Sequence, residues 1–246
     1  SHWRPRSMAA DLLSLRWIVF WICMIPIALL KLTYGYLRSD SRSPFHPRGE
    51  LRGDRQVRFC KPIPLNRVKT ICASLHVTVN DFIIAVIAGA SRKYLHRQAN
   101  IPTKRIAHLD LELAFTANLR TGSKIFVKQR NYSIMFGIPL PVAEHHALDR
   151  IVAVQNATQQ LKRSPLMIGA VLSYLALWAC NWPLLRTLTI ARLVGPKYES
   201  GKSWCLSNVP GPSAERALCG RSVTSLVGYM NNANGVVAVS YQNEVR

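Results

Sequence analysis

Acidic residues are scarce in this chain of 246 residues: 12 Asp and Glu stand against 32 Lys and Arg, for a formal charge of +20. Carboxylates are too few for a convincing paired-acid site. Paired cysteines are missing too. Cys23, Cys60, Cys72, Cys180, Cys205 and Cys219 stand alone, with no C-x-x-C, which argues against a zinc site or a disulfide framework and suits a reducing compartment. There is no G-x-S-x-G elbow, no G-x-G-x-x-G and no P-loop, and the histidines show no metal-ligand spacing. Zinc-finger spacing, an aromatic RNA-binding signature and any Lys/Arg block of five or more are absent as well, so nucleic acid is not the expected partner.

What the chain does have is apolar residues, 49% of the total, with only 18% charged. That composition is far from a disordered chain and supports a sizeable core. A strongly positive balance joined to high apolar content points to an anionic membrane surface.

The chain divides into three stretches. Residues 1–37 are basic at first and then hydrophobic, with an uncharged run from Trp17 to Leu30 between Arg16 and Lys31, interrupted by Pro26. A spanning helix needs about 20 apolar residues, so the run is short for one. It reads as a buried connecting helix, an interfacial helix or a tilted span extended to Tyr36. Trp17, Trp21 and the basic flanks favour membrane contact. Residues 38–56, rich in Arg, Ser, Pro and Gly, form a polar linker. An organised domain occupies 57–246.

Within that domain, Val57–Leu65 has the alternation of an edge strand, because Pro62 and Pro64 cannot donate ladder bonds. Leu65–Leu75 is an amphipathic helix with Leu65, Val68, Ile71, Cys72 and Leu75 on its apolar stripe. The helix Thr78–Leu95 follows. Thr78 with Asp81 three residues on has the form of a capping pair, and Phe82–Ala90 carries no polar side chain, so this helix is expected to be buried all round. Strands are expected over Ile106–Thr116, Tyr132–Val142, Ser203–Pro212, Val223–Met230 and Gly235–Tyr241. His145–Arg163 reads as an amphipathic helix whose inner face carries Leu148, Ile151, Val152, Ala157 and Leu161. Pro165–Leu193 reads as two helices divided at Pro183. The mixed order gives a sheet-centred α/β (α+β) domain.

His145-His146 is the tempting catalytic pair. Chloramphenicol-acetyltransferase-like enzymes use His-His-x-x-x-Asp-Gly, with the second His as general base on the acceptor hydroxyl. Here Arg150 and Ile151 occupy the Asp-Gly positions, and Asp149 is one residue early, a rotation of roughly 100° on a helix. The pair is therefore read as the N-terminal residues of a helix. No complete active site is visible in the chain.

From Arg55 to Val245 the chain resembles the C-terminal half of the wax ester synthase/diacylglycerol acyltransferase family. The resemblance is carried, in order, by the stretch from Thr78-Val-Asn-Asp to Ala90, by Asn118-Leu119-Arg120, by Leu140-Pro141-Val142 with the helix after it, by Ser207-Asn208-Val209-Pro210-Gly211-Pro212, and by Gly235 to Tyr241. It implies a chloramphenicol-acetyltransferase-like sheet with flanking helices, preceded by a hydrophobic helix. The implied activity is transfer of a fatty acyl group from acyl-CoA to a long-chain alcohol or diacylglycerol, with acyl-CoA as substrate and no cofactor or metal.

The family's Asn-Asp motif falls on Asn80 and Asp81, implying active-site support, although both are also good helix-capping residues. Ser207 and Asn208 could face the acyl-CoA channel or simply form a turn. The family's His-His-x-x-x-Asp-Gly lies in a half upstream of the hydrophobic stretch, and Arg130-Asn131 stands where the family has Gly-Asn. The chain starts with Ser and stops soon after Tyr241, so it is expected to be a fragment, linker plus most of a C-terminal domain, inactive without the missing half. The implied setting is the cytosolic face of a membrane, the endoplasmic reticulum in a eukaryote. The alternative is a non-catalytic, lipid-surface-binding protein that kept the domain and lost the chemistry.

Overall fold

In the computed structural model the described residues are 40–46, 63–118, 133–164, 203–210, 217–223, 235–241 and 244–245, with single positions at 26, 27, 30, 58, 60 and 61. The expected hydrophobic helix within 1–37 and the paired helices of 165–193 lie outside them. So does most of the strand expected at Val223–Met230.

Strand β1 (Ile63–Pro64) leads directly into helix α1 (Leu65–Ser74), and helix α2 (Val79–Arg97) follows. A short helix α3 (Thr103–Ile106) precedes strands β2 (Glu112–Asn118) and β3 (Ser133–Pro139), then helix α4 (Ala147–Arg163). Strands β4 (Trp204–Pro210), β5 (Ala217–Leu218), β6 (Arg221–Ser222), β7 (Gly235–Tyr241) and β8 (Glu244–Val245) complete the order. The main sheet has six strands in the order β1-β8-β7-β4-β2-β3. Its centre is parallel, β2 with β4 and β4 with β7; β3, β8 and β1 each join antiparallel. The mixed α/β architecture expected from the sequence is present; of the edge strand expected over Val57–Leu65 only Ile63–Pro64 is strand, with Arg58, Cys60 and Lys61 outside it and Leu65 opening α1.

β5 and β6 form a separate hairpin. Its two-residue turn has Cys219 at φ 51° and Gly220 at φ 75°. Two positive φ values in a row match the primed turns whose twist suits a hairpin.

The core lies between the sheet and the helices. Ile84, Ala88 and Leu95 on α2, Leu111 and Leu113 entering β2, Ile138 on β3, Val154 on α4 and Leu206 on β4 are all buried in one cluster. Period-2 alternation places Leu113 and Phe115 on the same face of β2, opposite Ile138 and Phe136 of β3. The rings of Phe115 and Phe136 meet there at 6.3 Å.

Three expectations are corrected. α2 is not buried all round: Val86 is 54% exposed, and Ala90 and Tyr94, at helical spacing from it, are exposed on the same face. On α4 the buried positions are Ile151, Val154 and Thr158, while Leu148 and Val152 are 60% and 53% exposed. Ile151 and Leu161 face the core as expected, and Val154 and Thr158 complete the stripe in place of Leu148 and Val152. Ile106 ends the turn of α3, and the strand begins at Glu112.

Among the described residues no single helix is long and apolar enough to cross a membrane.

Candidate functional site

The start of α2 is built as its sequence dictates. Thr78 is the N-cap: the Asp81 N–H donates to Thr78 Oγ1 at 3.2 Å, and the Thr78 N–H donates to Asp81 Oδ2 at 3.1 Å. This reciprocal box satisfies two of the donors a helix start would leave free. The Thr78 hydroxyl also lies 2.7 Å from Asp81 Oδ2. The carboxylate has a second task. Thr158 Oγ1 on α4 donates to Asp81 Oδ1 at 2.8 Å, and both residues are buried. Asp81 is thus at once a cap and a tie between the two long helices. Its charge also reaches Cys72 on α1, whose thiol is pushed above its ordinary value first by burial and then by Asp81.

Asn80, one residue earlier, points the other way. It is exposed, and its Oδ1 accepts a hydrogen bond from Nδ2 of Asn208 on β4. The contact joins the two polar stretches singled out in the sequence, 128 positions apart. Asn208 lies near the end of a parallel strand, in register with Val239 of β7, and the first turn of α2 stands beside it. Carboxyl ends of parallel strands are where open α/β sheets place their ligand crevices. Among the described residues the buried Asn208 Oδ1 has no hydrogen-bond partner. Ser207 is half-buried, and alternation directs it to the opposite face of β4 from Asn208. Asn80 and Asn208 therefore come together, while Asp81 turns toward α4 and Ser207 stands apart.

The far end of α2 carries a different set of contacts. Arg92 donates from Nη1 to the Val142 carbonyl at 2.6 Å and the Ala143 carbonyl at 3.1 Å, and its Nη2 lies 2.8 Å from His145 Nε2. Arg150 donates to the carbonyls of Glu144 at 3.0 Å and His145 at 2.8 Å. Two guanidinium groups thus hold four successive carbonyls of the β3–α4 turn. His145 is exposed against a cation, and His146 is the N-cap of α4 without a side-chain cap bond. Neither stands at the Asn80–Asn208 end, in keeping with the helix-start reading of this pair. Gly89 permits the close approach of α2 to α4, since a Cβ there would lie 3.1 Å from Arg150 Nη2.

One polar residue was not anticipated. Asp40, in the stretch read as linker, directs Oδ2 at the Glu112 N–H, the Ser203 N–H and the Ser203 hydroxyl, each at 2.7 Å. Burial raises its carboxyl above the ordinary value, against the lowering effect of those bonds, and the Glu112 carboxylate adds a further push upward.

Among the described residues no group of three or more His, Cys, Asp or Glu is placed to hold a metal ion. Cys60 and Cys219 are exposed thiols and Cys72 is a buried one.

Comparison with known proteins places this architecture. Residues 131–246 match the family model of the WS/DGAT C-terminal domain. That stretch belongs to the wax ester synthase/diacylglycerol acyltransferase family. A Mycobacterium tuberculosis H37Rv protein assigned by name to the diacylglycerol O-acyltransferases is 31% identical over 188 residues, 74% of this chain and 37% of the relative. The O-acyltransferase WSD of Acinetobacter baylyi is 30% identical over 148 residues, 60% of this chain and 30% of its own length. The solved wax ester synthase/diacylglycerol acyltransferase of Marinobacter aquaeolei VT8 aligns at a TM-score of 0.47 and 21% identity, covering 75% of this chain and 40% of that one. The chain spans about a third of the length of these curated relatives, 37% and 30%.

Proposed function

We propose that the chain is the C-terminal part of an acyl-CoA-dependent O-acyltransferase that esterifies a long-chain alcohol or diacylglycerol. Support comes from the family membership of residues 131–246 together with one geometric observation: the hydrogen bond from Asn208 to Asn80. It brings Asn80 of the family's Asn-Asp position and Asn208 of the Ser-Asn strand end into one polar spot, at the parallel-strand end where a crevice is expected.

In the reaction so read, a histidine on a partner half abstracts the acceptor hydroxyl's proton as that oxygen attacks the thioester carbonyl, and the CoA thiolate leaves. No group of this chain enters a covalent step, and no cofactor is called for. The chain supplies one wall. Asn80 and Asn208 provide uncharged hydrogen-bonding groups there, and Asp81 fixes the helix start that carries Asn80. The fold in this reading is one half of a chloramphenicol-acetyltransferase-like pair. The protein works at the cytosolic face of a membrane, where its net charge of +20 attracts anionic headgroups or the phosphates of CoA.

The test is transfer of a radiolabelled acyl group from acyl-CoA to hexadecanol or diacylglycerol by the protein joined to a His-His-x-x-x-Asp-Gly half. Product above that of a His-substituted control is expected. Salt-sensitive binding to anionic vesicles with no product would favour the non-catalytic lipid-surface reading instead, for which exposed Val86, Leu148 and Val152 would supply apolar contact.

A further inference from the structure

The residues just before the domain dock onto the sheet by two anchors. At the first, the Ser41 N–H donates to the Asp110 carbonyl at 2.8 Å, the Asp110 N–H returns a bond to Ser41 Oγ at 3.0 Å, and Asp40 takes its three bonds from Glu112 and Ser203. At the second, the Phe45 ring sits between Trp204 of β4 at 5.2 Å and Tyr94 of α2 at 5.4 Å. Ser43 and His46 close the turn that carries Phe45, with the Ser43 N–H and hydroxyl on His46 Nδ1 at 3.3 and 3.1 Å. Residues 40–46, part of a stretch with a linker's composition, thus form a strap held at Asp40–Ser41 and at Phe45.

Asp40 does something particular in that strap. Glu112 opens β2 and Ser203 immediately precedes β4, and these two strands pair in parallel. One carboxylate oxygen bridges the backbone donors at the starts of both. We propose that Asp40 is the positioning residue that sets β4 against β2, and through that register holds Asn208 beside Asn80 roughly 17 Å further along the strand.

The geometry separates two properties of the carboxylate. Oδ2 receives all three donors, while Oδ1 is buried with no partner among the described residues. The clip needs one acceptor oxygen and not the charge. No cation bonds Asp40 among the described residues. The charged or titratable groups on the elements around it are Glu112 and Asp110 at β2 and Arg42 and His46 within the strap, and of these Glu112 opposes its ionisation. A neutral amide in the same place keeps Oδ2 and dispenses with the buried charge. The contrast between Asp40→Asn and Asp40→Ala therefore isolates the clip.

The experiment is residue-resolved amide hydrogen exchange on the full chain, read together with the Asn208 side-chain NH2 signals by NMR. In Asp40→Ala the Glu112 and Ser203 amides should exchange at least tenfold faster and the Asn208 NH2 signals should shift, while Ala88 on α2 keeps its protection. Asp40→Asn should restore both readouts. Ser203→Ala, which removes one of the three donors and keeps the fold's buried groups, should speed Glu112 exchange by a smaller factor. Unchanged exchange at Glu112 and Ser203 in Asp40→Ala, an unmoved Asn208 signal, or an Asp40→Asn protein no better than Asp40→Ala would each overturn the proposal. If Asp40→Ala does not fold, unchanged Glu112 exchange in Ser203→Ala overturns it. None of these readouts involves acyl transfer, so they stand or fall apart from the proposed activity.

Discussion

Thr158 on α4 donates its hydroxyl to Asp81 at the start of α2 over 2.8 Å, both side chains shut away from solvent. A buried carboxylate oxygen keeps its place in a fold when a donor meets it. The hydroxyl makes an otherwise apolar helix contact specific to one depth of insertion. Thr158→Val keeps the shape and removes the donor, which should cost about 1–3 kcal/mol, the penalty of an unsatisfied buried acceptor. Chemical denaturation of the two proteins checks it.

Asp81→Ala removes the tie to Thr158 and the carboxylate half of the capping box together, leaving Thr78 as N-cap. Its loss should exceed that of Thr158→Val, at about 2–4 kcal/mol from the cap and the buried bond combined. Asp81→Asn should fall between the two, since an amide oxygen still accepts at one position.

The four carbonyls of the β3–α4 turn depend on two arginines. Arg92→Leu leaves the carbonyl of Val142, a residue 1% exposed, without its 2.6 Å donor, and should cost about 1.5–3 kcal/mol, the range for a charged hydrogen bond. Gly89→Leu pushes against the guanidinium of Arg150, itself tied to two carbonyls, and should cost about 1–3 kcal/mol by overpacking. Gly89→Ala should cost less, because alanine's better helix propensity offsets the 3.1 Å contact. Thermal unfolding of the set gives the order.

Asp40 makes stability depend on pH in a definite direction. Its carboxyl lies above the ordinary value in the folded state, so over the interval between the unfolded and folded values the native state binds more protons. Its contribution is then fully present below the unfolded value and is lost as pH rises through the folded one. Urea midpoints measured from pH 3 upward should show this fall in the wild type, and Asp40→Asn should remove that part of the slope. Equal slopes would contradict the assignment.

Much of this was legible locally. Thr78 and Asp81 are three residues apart, and the capping box needs nothing beyond that spacing and the apolar run behind it. The strand expected from Leu109, Leu111 and Leu113 was visible only in part: β2 starts at Glu112 and takes in Leu113 alone of the three, and Pro102 and Thr103 start a helical turn that claims Ile106. α4 was harder. Leu148 and Val152 make one apolar stripe, Ile151 and Val154 another, and the buried one is completed by a polar residue, Thr158, whose partner lies on another helix. Asn80 and Asn208 were each visible as polar residues at an element's end, yet their meeting depends on how α2 crosses the sheet, which no local spacing encodes. Asp40 was hidden by composition. A carboxylate among arginines and serines looks solvated, and the only signal was its rarity in so basic a stretch.

The most direct test of the account is steady-state acyl transfer by the whole enzyme, this chain with its His-bearing half, carrying Asn80→Ala, Asn208→Ala and both. If the amide pair forms one wall of the site, each single variant should lose at least tenfold in kcat/KM, and the double variant should lose little more than either alone, because the two act as a unit. Leu148→Ala, on an exposed face of α4, serves as the surface control and should keep its activity. Full activity in both single variants would contradict the account.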